Sequence, residues 1–278
     1  MRGVIWQRGA MPMRGVIGRR GVMPICTLAL TLWAFACAGP REGRGLGAEG
    51  DFQHAQSLFE SGKYFAASTE LEAFRSRNPG SDRVDDATYY LGLTHMKLDE
   101  HLLAQQEFDR LLSDYPTSTH REDAEFQRAM SFYQSAYSAP RDPEPIEAAL
   151  GAFEAYRRHY PSGTHVEEAA RLARACQDRL AVKHFLNGET YLQLGQARGA
   201  VLYFEKSLSM LKDSSRAADA HLGLARAHAA VNQVEKAREE YQRTLDYITP
   251  ERLAAEPRLA DLRGQAEIGL RSLSTEAP

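Results

Sequence analysis

The sequence predicts an all-α fold, built as a solenoid of about five helix pairs that winds into a right-handed superhelix. A short turn with a proline ends a helix pair three times, at residues 78–81, 115–118 and 160–163. From Asp51 onward the apolar residues fall at helical spacing, and only short turns interrupt them. No strand-like alternation of apolar and polar residues stands out.

The first two proline turns lie 37 residues apart and the third follows after 45. A recurrence of about 34 residues or slightly more is typical of tetratricopeptide (TPR) arrays. The second repeat is the clearest. Gly92 and Ala104 are small where its two helices cross, Phe108 and Leu111 fill the space beside them, and Pro116 ends the pair. Because TPR arrays offer an extended binding groove, the pattern predicts a binding protein.

Residues 51–163 are predicted to form repeats 1–3, and residues 164–250 repeats 4–5. Residues 251–278 are predicted to supply a capping helix and a tail, because a solenoid needs a cover for its last hydrophobic face. Small residues mark the helix crossings of the other repeats, at Ala55, Ala67, Ala129, Ala149, Gly188, Ala200, Ala225 and Ala237.

The third repeat is stretched. Twenty positions separate its small residues Ala129 and Ala149, whereas twelve separate those of repeat 2. The extra residues are predicted to form a loop over 138–145, where three prolines exclude a continuous helix. A long helix from about Val166 into Leu194 is expected to lead directly into repeat 4.

Residues 1–36 have the parts of a signal peptide. A pair of arginines precedes an apolar stretch at 24–36, and small residues follow. The apolar stretch is shorter than the ~20 residues of a transmembrane helix. We expect the true start at a later methionine, Met13 or Met23, because the residues before them add nothing to a signal peptide.

Residues 34–37, Ala-Phe-Ala-Cys, resemble a bacterial lipobox, in which a peptidase cuts before the cysteine and the cysteine carries the lipid. Cys37 is therefore the predicted lipidation site, and the Gly-rich segment 37–50 a flexible tether. The alternative is ordinary cleavage after Ala36 with an incidental cysteine. Residues 38–39 lack the aspartate that retains some lipoproteins in the inner membrane, which favours the periplasmic side of the outer membrane.

The charge and the residue types argue against several functions. The formal net charge is −3, and the first 36 residues hold five arginines and no acid, so the remainder is more acidic, at −8. Nonspecific binding of nucleic acid needs a net basic surface. His159 and His165 lie near each other in sequence, but no second set of ligands completes a metal site. Cys176 has no predicted disulfide partner and is expected to be a buried apolar side chain.

No catalytic motif, cofactor site or metal site is recognised, so the chain is predicted not to be an enzyme. The alternative, an envelope enzyme with accessory repeats, would need a catalytic fold outside the repeats. No segment of about 100 residues remains for one.

The first helix of each repeat lines the concave face of a TPR array, and this register predicts a groove. Its aromatic residues and methionines would suit an extended or helical apolar peptide. The alternative is that several of them belong to the core between repeats. The predicted groove residues are Phe52, Phe59, Tyr89, Leu93, Met96, Lys97, Phe126, Met130 and Tyr133.

With these residues in hand, the chain resembles the BamD-type family of outer-membrane protein assembly lipoproteins. The resemblance covers about residues 37–245. It rests on the lipobox cysteine and tether, on Gly62-Lys63-Tyr64 in the first repeat, and on Arg141-Asp142-Pro143 before a helix. Its most specific element is Asp178-Arg179-Leu180-Ala181 in the long helix. The chain departs from the family pattern at residues 212–215 and after Pro257.

The resemblance implies a scaffold lipoprotein that takes part in assembling β-barrel proteins into the outer membrane. It implies two kinds of partner, a BamA-like barrel assembly subunit at repeats 4–5 and unfolded outer-membrane protein substrates at repeats 1–3. The alternative is a TPR coordinator of the cell envelope, associated with the Tol-Pal system or with cell-wall synthesis.

Overall fold

The computed structural model describes residues 47–138, 144–210 and 216–275, which all belong to one compact unit. The predicted signal peptide, Cys37, the Arg141-Asp142-Pro143 element and residues 212–215 lie outside the described residues. The described parts form twelve helices and no strand: α1 Gly47–Glu60, α2 Tyr64–Arg77, α3 Val84–Lys97, α4 His101–Asp114, α5 Arg121–Ser138, α6 Glu144–His159, α7 Val166–Gln193, α8 Ala197–Met210, α9 Ala217–Ala230, α10 Val234–Tyr247, α11 Pro250–Ala255 and α12 Leu259–Thr275.

From α1 to α10, neighbouring helices in the chain pack against each other, and this confirms the predicted all-α solenoid. The first helices of the five pairs are α1, α3, α5, the second half of α7, and α9. The second helices are α2, α4, α6, α8 and α10. First helices of successive pairs also touch, as α1 touches α3 and α7 touches α9.

Small residues let the paired helices approach. A Cβ atom added to Gly92 would lie 2.5 Å from the ring of Phe108, which is fully buried. The same arrangement returns in repeat 4, where an added Cβ on Gly188 would lie 2.8 Å from the buried ring of Phe204. The helix crossings predicted from sequence therefore carry the core of both repeats.

The turn inside four of the five pairs contains a residue with positive φ. Gly62 and Gly195 supply it with φ values of 77° and 71°. Asp99 and Asn232 stand at the same place in repeats 2 and 5, with φ values of 58° and 60°. Asp and Asn tolerate this left-handed conformation better than other side chains, so four repeats share one turn geometry.

Two boundaries differ from the sequence prediction, and one short helix was not predicted. α1 begins at Gly47, so the last four residues of the predicted tether are helical. α6 begins at Glu144, which places Pro145 in the first helical turn, where a proline is tolerated. The short helix α11, whose Thr249 side chain accepts a hydrogen bond from the Arg252 amide, precedes the cap.

The last helix covers the end of the array. Leu259, Ala266 and Leu273 on α12 are buried against α9 and α10. Among the described helices, none is long and apolar enough to cross a bilayer.

Candidate partner-binding surfaces

Successive repeats are joined by a contact that uses an acid, an aromatic ring and a histidine or arginine side chain. His120 precedes α5, and its Nε2 lies 2.7 Å from Asp86 Oδ1 at the start of α3. The imidazole also stacks on the ring of Tyr89, with centroids 4.3 Å apart and planes within 6°. This contact therefore covers one end of the predicted groove.

The same contact recurs along the solenoid. Before α7, His165 Nε2 lies 3.0 Å from Asp123 Oδ1, and the imidazole stacks at 4.3 Å on Phe126. Arg83 and Arg258 take the corresponding positions before α3 and α12, and they pair with Glu49 and Asp219 respectively. The Arg83 guanidinium lies 5.7 Å from the ring centroid of Phe52. The contact fixes each repeat against the next.

Two predicted groove residues belong to the core instead. Phe52 and Phe126 are buried, and the side chain preceding the next first helix packs on each ring. Phe52 also packs on Phe74, and Phe126 on Phe153 and Tyr156. The prediction that they line an open groove is wrong. The repeat position was correct, but the covering residue comes from the following repeat.

Tyr89, Leu93 and Met96 on α3 are half-buried and pack against the cluster of Ala104 and Phe108. Burial raises the pKa of Tyr89 to about 12, so its hydroxyl stays protonated and able to donate a hydrogen bond at neutral pH.

The remaining predicted groove residues differ in exposure. Met130 and Tyr133 on α5 are half-buried against the core of repeat 3. Phe59 is half-buried and makes edge contacts with Tyr64 and Tyr90, while Lys97 is exposed. The floor available to a partner is thus a row of partly exposed apolar side chains on α1, α3 and α5.

A second surface was missed at the level of sequence. The first half of α7 buries Leu172 and Cys176 against α5 and α6. Eleven residues later, about three helical turns, Lys183 and Asn187 stand on the same face of α7, partly exposed. Thr190, one turn further on, is exposed. The helix therefore runs on beyond the helices that cover its first half.

Comparison with repeats 2 and 5 shows which positions of α7 are more exposed among the described residues. In repeats 2 and 5 the preceding helix pair covers this face, and the residues there are apolar or small and at most 4% exposed. They are Ala87, Leu91 and Thr94 on α3, and Ala220, Leu224 and Ala227 on α9, where α7 has Lys183, Asn187 and Thr190. Beside them Leu186 and Leu194 are 56% and 67% exposed. We call Lys183, Leu186, Asn187, Thr190 and Leu194 the open face of α7.

The border of the open face is basic. His184 packs near Tyr203, whose ring is 5.7 Å from the Lys206 ammonium. Burial, together with the nearby charges of Lys206 and Lys183, lowers the pKa of His184, and Glu147 partly opposes this. The His184 Nδ1 atom is buried without a hydrogen-bond partner. A partner with acidic groups would meet complementary charge here.

A cleft of about 450 Å³ opens between α8, α9 and α10. Its charged groups bind each other: His221 Nδ1 lies 2.6 Å from Glu240 Oε2, and Arg243 donates to Glu240 Oε1 at 2.6 Å. In the described ranges no group of three His, Cys, Asp or Glu side chains is placed to hold a metal ion. Cys176 is fully buried, which raises its pKa to about 11 and leaves the thiol protonated.

The fold and these surfaces define a class of protein, a TPR-type solenoid with a groove on its first helices and an open helix face in repeat 4. Residues 48–245 match the model of the YfiO family, described as outer membrane lipoprotein. The match covers well over half of the chain, and the chain belongs to this family. Membership indicates an outer-membrane location.

Individual relatives of this chain are consistent with the family match. The outer membrane protein assembly factor BamD of Vibrio cholerae is 26% identical over 152 residues, which are 51% of this chain and 63% of the relative. The protein of the same name from Caulobacter vibrioides is 24% identical over 147 residues, covering 53% of this chain and 48% of the relative. The chain thus spans between about half and two thirds of the length of the relatives it matches.

Solved structures of TPR proteins are also similar. A TPR repeat protein of Bacteroides fragilis covers 80% of this chain and 97% of its own, with a TM-score of 0.42 and 10% identity. A thermophilic TPR protein of Thermus thermophilus covers 80% and 98%, with a TM-score of 0.35 and 19% identity.

Proposed function

We propose that the protein is a scaffold lipoprotein on the periplasmic side of the outer membrane, where it takes part in the assembly and insertion of β-barrel proteins. The observation that carries the proposal is the YfiO family match, which extends over α1 to α10 and so includes all five repeats. The names of the curated relatives support the same role. The protein acts by binding partners and has no reaction of its own.

The lipid on Cys37 holds the protein at the membrane, and the first residue of α1 follows ten positions later. More than one acyl chain is needed for stable anchoring, because a single chain binds a bilayer only marginally. Replacing Cys37 with serine should release the protein from the membrane fraction. An unchanged distribution of the Cys37→Ser variant would contradict lipid anchoring without touching the binding role.

The groove of repeats 1–3 receives the unfolded substrate. Met96, Met130 and Tyr133 offer apolar surface that is neither fully buried nor fully exposed. Methionine adapts its shape to different apolar partners, and this suits a scaffold that receives many barrel sequences. The ring of Tyr89 adds a hydroxyl that can bond a peptide carbonyl.

Repeats 4–5 hold the BamA-like barrel assembly subunit, and the open face of α7 is the surface they offer. Leu186, Thr190 and Leu194 are exposed among the described residues, whereas the counterparts of Thr190 in repeats 2 and 5 are buried, so this face is available to another chain. Its two exposed leucines among polar residues fit a non-obligate interface, in which apolar contacts are mixed with polar ones.

The experiment is affinity purification of the anchored protein from detergent-solubilised outer membrane, followed by quantification of the barrel assembly subunit. We expect Thr190→Arg, on the open face, to reduce recovery of the subunit. The matched control is Thr69→Arg: Thr69 is also an exposed helical threonine that donates to the carbonyl four residues earlier. Failure of the wild-type protein to recover any barrel assembly subunit would refute the proposed function. Equal recovery with both variants would refute only the role of the open face.

The alternative of a Tol-Pal or cell-wall coordinator would give a different purification, with those envelope proteins in place of the barrel subunit. The family match favours the assembly role.

A further inference from the structure

Repeats 1 and 2 carry large apolar side chains that are exposed in the described chain. Phe65 on α2 is 79% exposed, and Leu102 on α4 is 67% exposed. Leu103 beside it is 43% exposed. We call Phe65, Leu102 and Leu103 the apolar edge.

The apolar edge is a repeated feature. Phe65 and Leu102 are each the second residue of the second helix in a pair, so they hold equivalent positions in successive repeats. The core of these helices is filled without Phe65 and Leu102, because Leu71 and Phe108 occupy the inward faces and are fully buried. The two side chains therefore add exposed apolar area at one edge of the solenoid without serving the fold.

The opposite edge of the same repeats has a different character. Its turns at residues 78–83 and 115–120 carry proline, glycine and polar side chains, and the large exposed apolar residues of the described chain lie elsewhere. Repeats 1 and 2 are thus apolar at the turn inside each pair and polar at the turn between pairs.

The chain that precedes α1 indicates what could cover the apolar edge. Ten residue steps separate Cys37 from Gly47, and a fully extended chain of that length spans about 33–36 Å. α1 has 14 residues and is therefore about 21 Å long, and the apolar edge lies near its far end. The segment between Cys37 and α1 is therefore long enough for a lipid at Cys37 and the apolar edge to reach the same surface.

We propose that the apolar edge rests in the interface of the membrane that holds the lipid anchor, as a second contact that orients repeats 1 and 2. The proposal rests on the lipidation of Cys37 proposed above. The surrounding charges are mixed: Lys63 is exposed beside Glu60, and Asp99 and Glu100 are exposed beside Leu102. The contact therefore depends on burial of Phe and Leu side chains in the boundary between headgroups and acyl chains, and attraction to anionic lipid contributes little.

Tryptophan fluorescence can test the contact because the mature chain has no tryptophan of its own. Both natural tryptophans, Trp6 and Trp33, lie in the predicted signal peptide. The probes are Phe65→Trp and Leu102→Trp in the lipidated mature protein. The matched controls are Leu202→Trp and Ile268→Trp, which replace residues that are 51% and 61% exposed in other repeats. Each protein is reconstituted in phosphatidylethanolamine–phosphatidylglycerol vesicles, with and without bromine atoms on the acyl chains.

We expect a blue-shifted emission for the two probes and a loss of their fluorescence in brominated vesicles, while both controls keep the emission of a water-exposed indole. Probes that stay in water on vesicle-bound protein would overturn the proposal and leave lipid anchoring intact. A blue shift without quenching by bromine would also overturn it, because the probe would then be covered by protein. Equal quenching of probes and controls would show that the whole solenoid lies on the bilayer, and this too would contradict an oriented edge. If the protein does not stay on the vesicles at all, and the Cys37→Ser variant binds them equally poorly, the result contradicts the lipid anchor on which the proposal rests.

Discussion

Replacement of Phe204 by alanine should destabilise repeats 4 and 5 while it leaves the N-terminal repeats folded. The ring is fully buried and lies between the backbones of two other helices. A Cβ atom added to Gly188 on α7 would be 2.8 Å from it, and one added to Gly223 on α9 would be 2.5 Å from it. Removal of a buried phenylalanine side chain costs about 3–5 kcal/mol. We expect the upper part of this range, because helices packed on three sides cannot easily close the cavity.

The assay is urea unfolding of the mature chain followed by circular dichroism, together with native-state hydrogen exchange. A solenoid is stabilised by contacts between neighbouring repeats, so protection should be lost in α7 to α10 and retained in α1 to α4. Leu202→Ala is the control on the same helix. Leu202 is 51% exposed, and its loss should change the free energy of unfolding by less than about 0.5 kcal/mol. A cost below about 1 kcal/mol for Phe204→Ala, or an even loss of protection along the whole chain, would refute the reasoning.

Three further predictions follow from individual contacts. Gly92→Ala should lower the free energy of unfolding by about 1–3 kcal/mol through overpacking. Gly151→Ala should raise it by about 0.5–1 kcal/mol, because a Cβ added there meets nothing within 4 Å. Urea titration that gave both changes the same sign would contradict the packing. Because the pKa of His184 is lowered in the folded state, the free energy of unfolding should fall as the pH drops below about 6.5 and through the lower folded value. His184→Gln should reduce that fall in thermal melts at about pH 7.5 and 5, and an unchanged pH dependence would count against the shift. A double-mutant cycle of Asp86→Ala and His120→Ala should show a coupling of about 0.5–3 kcal/mol, and additive losses would show that the two side chains act independently.

The helix pairs could be predicted because local rules and tertiary packing agree there. Gly92 and Ala104 are small for the same reason that the structure shows, namely that a ring fills the crossing point. The positive φ of the turns could be predicted from the sequence in only two of the four repeats. Gly62 and Gly195 signal positive φ, but Asp99 and Asn232 adopt it in the same place with ordinary side chains.

The groove was predicted less well, because burial there depends on the following repeat. Phe52 and Phe126 hold the same repeat position as Tyr89, and periodicity alone cannot show that Arg83 and His165 cover the rings. His165 reaches Asp123 across 42 residues, whereas the corresponding pair of His120 and Asp86 is 34 residues apart. The stretched third repeat accounts for the difference.

The open face of α7 did leave a signal in the sequence. Lys183 and Asn187 stand where repeats 2 and 5 have alanine and leucine. A lysine and an asparagine at positions that are core in repeats 2 and 5 indicate a face that is not packed into the hydrophobic core.

The most direct test of the account is depletion of this protein from its native cells, followed by measurement of folded β-barrel protein in the outer membrane. Folded barrels migrate differently from unfolded ones on gels run without heating, so the folded fraction can be quantified directly. We expect folded barrels to fall as the protein is depleted and the wild-type chain to restore them, while Cys37→Ser restores them poorly. Normal levels of folded barrels in depleted cells would contradict the central claim that this solenoid takes part in barrel assembly.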